Sequence, residues 1–132
     1  MFKITIETIP HSNQRPNIGE TVGDWNLDTS PGVTDIKVSK MIYSQYEELI
    51  AIHELVEMIL CHDDGVTTED VDDFDRNWKP HDGIDEPGAD INAPYHRQHV
   101  VAEIVERIVA NELGVDWHKY NKAIDDVLKG NQ

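Results

Sequence analysis

At the start of the chain Phe2, Ile4 and Ile6 alternate with Lys3, Thr5 and Glu7. A period of two is that of a half-buried strand. A polar, turn-rich stretch follows, Pro10-His11-Ser12-Asn13-Gln14-Arg15-Pro16. Trp25 and Leu27, then Ile36 and Val38, repeat the alternation on either side of Asp28-Thr29-Ser30-Pro31-Gly32, which predicts a hairpin. Residues 1–40 are therefore expected to form a short antiparallel sheet of about three strands.

Beyond residue 40 the period becomes helical. Tyr46, Leu49, Ile50, Val56 and Leu60 project to one side at 100° per residue, so a helix is predicted over about 44–62, with Ser44 and Glu47 as a capping box. Gly65 follows it. Thr67 or Thr68 can cap a short second helix carrying Val71, Phe74 and Trp78 on one side. Lys79 to Asn92, with Pro80, Gly83, Pro87 and Gly88, reads as a loop. Pro94 suits the first turn of a third helix that runs to Leu113 and stops at Gly114. Asp116 can cap a fourth, with Trp117, Tyr120, Ile124 and Leu128 inward and Gly130 near its end. There is no internal repeat. The expected fold is α+β: a single domain, 1–132, with a β-rich part over 1–40 and a bundle of three to four helices over 41–132.

Composition narrows the function. At 132 residues the chain can bury a real core. Eleven basic against twenty-six acidic residues give a net charge of −15, which repels phosphates and anionic membranes; direct nucleic-acid or membrane binding is not expected. The single cysteine, Cys61, excludes an intramolecular disulfide and points to a reducing compartment. No apolar run reaches membrane-spanning length, and the start has no signal-peptide core, so a cytoplasmic location is expected. Between Asp63 and Asp90 stand eleven acidic and two basic residues. A solvated acidic face is the plain reading; an acidic decoy that imitates DNA for a basic host partner is an alternative. Asp73, Asp75 and Asn77 match the start of a calcium loop, but Trp78 occupies the required glycine position and Ile84 the closing glutamate position, so that reading fails. His62-Asp63 is a dipeptide match to His-Asp hydrolases and carries nothing further.

The chemistry lies in the first helix. His53 and Glu57 stand one turn apart inside the apolar stripe. A buried charge costs several kcal/mol unless it is paired, neutralised or bound to a metal. An imidazole and a carboxylate at i and i+4 can ligate one divalent ion, Zn²⁺ first and another divalent cation as the alternative. Glu54 points about 100° away and could act as base on a metal-bound water. A pair without a metal is the competing reading, with Glu57 bonded to His53, Arg97 or Arg107.

His53-Glu54-Leu55-Val56-Glu57 resembles the His-Glu-x-x-His helix of zincin-type metallopeptidases, with Glu57 at the second-histidine position. The resemblance implies His53 and Glu57 as ligands, Glu54 as general base, and a sheet preceding the helix. Over most of its length the chain is also similar to a group of small phage and prophage proteins. That likeness rests on Pro10-His11-Ser12 with Gln14-Arg15, Gly23-Asp24-Trp25, the His53 helix, Glu86-Pro87-Gly88, Pro94-Tyr95-His96 and Gly114-Val115-Asp116-Trp117. It implies a phage or prophage origin, and hence a bacterial host cytoplasm, and brings no activity with it.

For a third ligand the third helix offers His96, His99, Glu103 and Glu106 along one stripe, with His99 and Glu103 favoured because they sit in its middle. Val101, Ile104, Val105 and Ile108 lie opposite, so a stripe that simply faces water is an equal reading. His11 and His81, on loops, are outside candidates. Glu54-x-x-Glu57 with Glu103-x-x-Glu106 gives a further alternative, a magnesium-dependent phosphohydrolase using paired glutamates. The leading expectation is a zincin-like, divalent-metal hydrolase or an inactive, metal-binding relative.

Overall fold

A computed structural model of the chain describes residues 3–15, 21–30 and 32–130. Phe2, Pro16 and Pro31 of the segments above lie outside the described residues. Strands β1 (Lys3–Ile9), β2 (Gly23–Ser30) and β3 (Val33–Ser39) form one sheet in the order β1-β3-β2. Helices α1 (Ser44–Asp63), α2 (Thr68–Asn77), α3 (His96–Glu112) and α4 (Trp117–Leu128) follow. The α+β class and its division into a sheet and four helices are as expected. The sheet, however, is mixed. β2 and β3 pair antiparallel, whereas β1 pairs parallel with β3 from Lys3↔Val33 to Ile9↔Ser39. Strand direction still alternates along the chain; β3 slides between β1 and β2, and so meets β1 running the same way.

β3 is the central strand and buries Thr34, Ile36 and Val38 at alternate positions. Ile36 faces Trp25 across the β2–β3 ladder, and both are in the core. α1 packs against β3 and β2. β1 is the far edge, which is why Ile6 is half exposed despite its place in the apolar alternation.

Each helix start shows what fixed it. Ser44 does not cap α1; the N-cap is Tyr43, and Glu47 instead accepts the Met41 backbone N–H at 2.8 Å, tying the helix to the end of β3. Thr67 caps α2 in a capping box with Asp70, while Thr68 is buried and accepts the Leu27 N–H at 3.1 Å. α3 begins at His96, two residues beyond Pro94, after a short 3-10 turn at Pro87–Ala89. Asp116 caps α4 by accepting the Lys119 N–H at 2.9 Å. Cys61 is fully buried and free, and burial pushes its thiol up to about 12.

α3 is turned opposite to its apolar residues. Ile104 and Ile108 are 53% and 60% exposed, whereas Glu106 is only 6% exposed and Gln98, two turns earlier, is buried as well. The polar stripe faces α1, not water. Two polar stripes that would each be costly to bury alone face one another across the main helix–helix contact. No helix among the described residues is long and apolar enough to cross a membrane.

Candidate metal centre

Where α1 meets α3, His53, Glu57 and His99 converge, and their ligand-type atoms all lie within 4.8 Å of one another. His53 Nε2 is 3.1 Å from Glu57 Oε2 and 3.2 Å from His99 Nδ1; His99 Nδ1 is 3.0 Å from the same Glu57 oxygen. Such a group could hold a metal ion. Ligands bound tetrahedrally at zinc distances stand about 3.3 Å apart, close to the edges of this triangle.

Every outward-facing atom of the three residues is anchored. His53 Nδ1 is 2.8 Å from Glu106 Oε1, and His99 Nε2 is 3.0 Å from Glu86 Oε1. Both partners are carboxylates, which accept, so each outer nitrogen carries its hydrogen, and a neutral ring would then present the lone pair of its inner nitrogen to a metal. Glu106 is held in turn by the Tyr120 hydroxyl at 2.5 Å. Glu57 Oε1 accepts the Trp25 indole N–H at 3.0 Å, leaving Oε2 for the triangle. When no ion is bound, protons must hold the inner atoms together. Burial opposes charge on His53, but hydrogen bonds to Glu106 and Glu57 outweigh it and raise its pKa well above the ordinary value. The same balance, with Glu57 and Glu86, lifts His99 to about 10. Glu57 is driven down to about 2, its burial overcome by the hydrogen bonds from His53 and His99. A cation held in the triangle would take the place of these protons.

A cavity of about 550 Å³ opens on the triangle, and Glu54, Glu103 and Asp75 also line it. Burial, and after it the charge of Glu57, raises the Glu54 carboxyl well above its usual range. Asp75 accepts the Tyr95 hydroxyl at 2.5 Å and is lifted to about 7, chiefly by burial. Of the sequence-predicted set, the structure thus brings His53, Glu57 and His99 together and puts Glu54 and Glu103 on the cavity wall. Glu103 is not part of the triangle; Glu106, one turn further along α3, reaches His53 instead. His96 binds the Gly88 carbonyl at 2.9 Å, His11 the Ser39 hydroxyl at 2.8 Å, and His81 both Asp82 and Asp90. Neither arginine partners Glu57: Arg97 is exposed, and Arg107 lies over the Trp117 ring.

Sequence reasoning missed Trp25, Glu86, Gly23 and Gly88 as parts of the site. No periodicity marks them, although they stand in the Gly23-Asp24-Trp25 and Glu86-Pro87-Gly88 segments on which the phage-protein resemblance rests. Both glycines act by leaving room. A Cβ on Gly88 would lie 2.5 Å from the His99 ring, and one on Gly23 would lie 2.7 Å from the Glu54 carboxylate. Gly88→Ala should therefore displace His99 and weaken metal binding about 10–100-fold while the helical signal in circular dichroism persists. Gly23→Ala should disturb Glu54 and leave metal affinity within about threefold, since no triangle atom moves. Titration with a competing metal indicator separates the two; unchanged affinity in Gly88→Ala would refute the packing argument.

Comparison with known proteins returned no matching family model, no matching curated protein and no matching solved structure.

Proposed function

We propose that this chain is a zincin-like hydrolase, of phage or prophage origin, that holds Zn²⁺ through His53, Glu57 and His99 and uses Glu54 as general base. The triangle of ligand atoms carries the reading, each ligand being oriented by a carboxylate or an indole behind it. Two imidazoles and one carboxylate make up the donor set of catalytic zinc sites with three protein ligands and one open position. Relative to His-Glu-x-x-His, the carboxylate and the second imidazole have exchanged places: Glu57 takes the helix position and α3 returns the imidazole as His99. A divalent ion held by these residues would supply a Lewis acid able to activate water. Glu54, on the wall of the same cavity, would be the proton acceptor. Its raised pKa makes it a stronger base than a surface carboxylate.

The other readings draw less support. A magnesium site of paired glutamates would draw on Glu54, Glu57, Glu103 and Glu106, all on the cavity wall. Glu106, however, is held by Tyr120 and His53, and the two imidazoles beside Glu57 are nitrogen donors that suit zinc better than magnesium. A DNA decoy needs its carboxylates on display. Between Asp63 and Asp90 that condition is met only in part: Asp73 and Asp82 are exposed, whereas Asp72, Asp75 and Asp90 are turned inward onto Arg15, Tyr95 and Trp78, and no observation points to a basic partner.

The test compares Glu54→Gln with His53→Ala, measuring metal content and hydrolysis of a peptide mixture by mass spectrometry. Glu54→Gln should keep the ion and the fold and lose at least about a hundredfold in rate, the usual scale of a general base. His53→Ala should lose the ion. Equal metal loss in both variants would move Glu54 into the ligand set. A wild type that holds the ion and cleaves nothing would assign the chain to the inactive, metal-binding relatives.

A further inference from the structure

The cavity in front of the triangle has one sign of charge. Ten carboxylates line it, and no lysine or arginine does so among the described residues. The nearby cation, Arg15, is spoken for: its guanidinium binds Asp24 at 2.6 and 2.9 Å and Asp72 at 2.8 and 3.1 Å. Six of the ten carboxylates have partners within the fold: Glu57, Glu86 and Glu106 on the imidazoles, Asp24 and Asp72 on Arg15, and Asp75 on Tyr95. Glu54, Asp85, Glu103 and Asp125 remain, all on the cavity wall. Trp25, Trp78 and Trp117 line the same space. A divalent ion offsets two of these charges and Arg15 a third, so carboxylates still far outnumber cations around the cavity. A phosphate or a carboxylate-rich substrate would meet repulsion on every side.

Resting on the hydrolase reading above, we infer that the substrate is cationic, carrying an ammonium or guanidinium group beside the bond that is cleaved. Asp85, Glu103 and Asp125 receive that charge. Because they are neither metal ligands nor anchors of ligands, they are specificity-determining residues, and neutralising them should change substrate preference without removing the ion.

The experiment uses the full chain loaded with Zn²⁺ and two fluorescein-labelled peptides that are identical except for three lysines in one and three glutamates in the other. Anisotropy at about 0.15 M salt, where long-range attraction is screened, reads binding without needing turnover. The lysine peptide should bind at least about tenfold more tightly. The triple variant Asp85→Asn, Glu103→Gln, Asp125→Asn should lose most of that preference and keep its zinc. A control, Asp63→Asn with Glu112→Gln, removes the same kind of charge outside the cavity and should retain the preference. Equal binding of the two peptides, binding of neither, or equal loss in the control and the cavity variant would each overturn the inference. Mass spectrometry of the same mixtures keeps the two readings apart. A lysine peptide bound with the expected preference but left intact supports the cationic cavity and counts against hydrolysis. Cleavage of both peptides at equal rate and affinity supports hydrolysis and overturns the cationic cavity.

Discussion

Stripping the ion from the loaded protein should lower its melting temperature by roughly 10 °C. A ligand that binds only the folded state stabilises it by RT ln(1 + [L]/Kd), about 2.7 kcal/mol at a hundredfold excess of free ion over Kd. The triangle should be such a site, since α1 and α3 supply its members and they converge only once the two helices pack. Purification without chelator should yield about one divalent ion per chain by elemental analysis, the stoichiometry of a mononuclear zinc site. Melts with and without chelator, followed by back-titration with zinc, manganese and magnesium, measure the effect. A protein that contains no ion, and whose melting does not respond to any of the three, would make the cluster a buried hydrogen-bonded network and nothing more.

The second large effect concerns replacing the polar pair with leucines. Seen along α1 alone, His53→Leu with Glu57→Leu would complete an apolar stripe and stabilise the helix. Across the interface the expectation reverses. The Trp25 indole N–H loses its acceptor, Glu106 loses His53, and His99 loses Glu57. Breaking a buried pair from one side costs about 3–5 kcal/mol, so the double variant should be destabilised by at least about 3 kcal/mol relative to metal-free wild type. Adding His99→Leu and Glu106→Leu removes the stranded groups on α3 and should recover part of that loss. Urea unfolding of both variants decides it; a double variant as stable as wild type would show that the network contributes nothing to the fold.

The elements were legible because their signals are local. Period-two alternation marked the strands, helical spacing marked α1 to α4, and Thr67 and Asp116 cap as their types suggest. The direction of β1 was not legible, because nothing within Lys3–Ile9 says on which side of β2 the strand β3 will insert. Half of the site was visible for the same reason: an imidazole and a carboxylate on an apolar stripe announce themselves. His99 was one of four residues on a second stripe whose facing was open. Its selection, and that of Glu106 over Glu103 as the partner of His53, depends on how α3 crosses α1, which is set by packing between helices. Trp25, Glu86 and Gly88 gave no sign because each serves the site from a distant segment by a single bond or by the absence of a side chain.

The order β1-β3-β2 also sets a sequence of events during synthesis. β2 and β3 can close as a hairpin as soon as residue 39 is free, but Lys3 has to wait for Val33 before β1 has a neighbour to pair with. Pairing between such distant segments is slow, because chain entropy is lost before the contacts form. Until β1 docks, the central strand has a bare edge carrying Ile36 and Val38, a surface on which another nascent chain can add a strand. The helices arrive later still, with His53 and Glu106 separated by 53 residues. Association between unfinished chains is therefore to be expected at β3, at a stage when neither the edge strand nor the metal centre yet protects the fold.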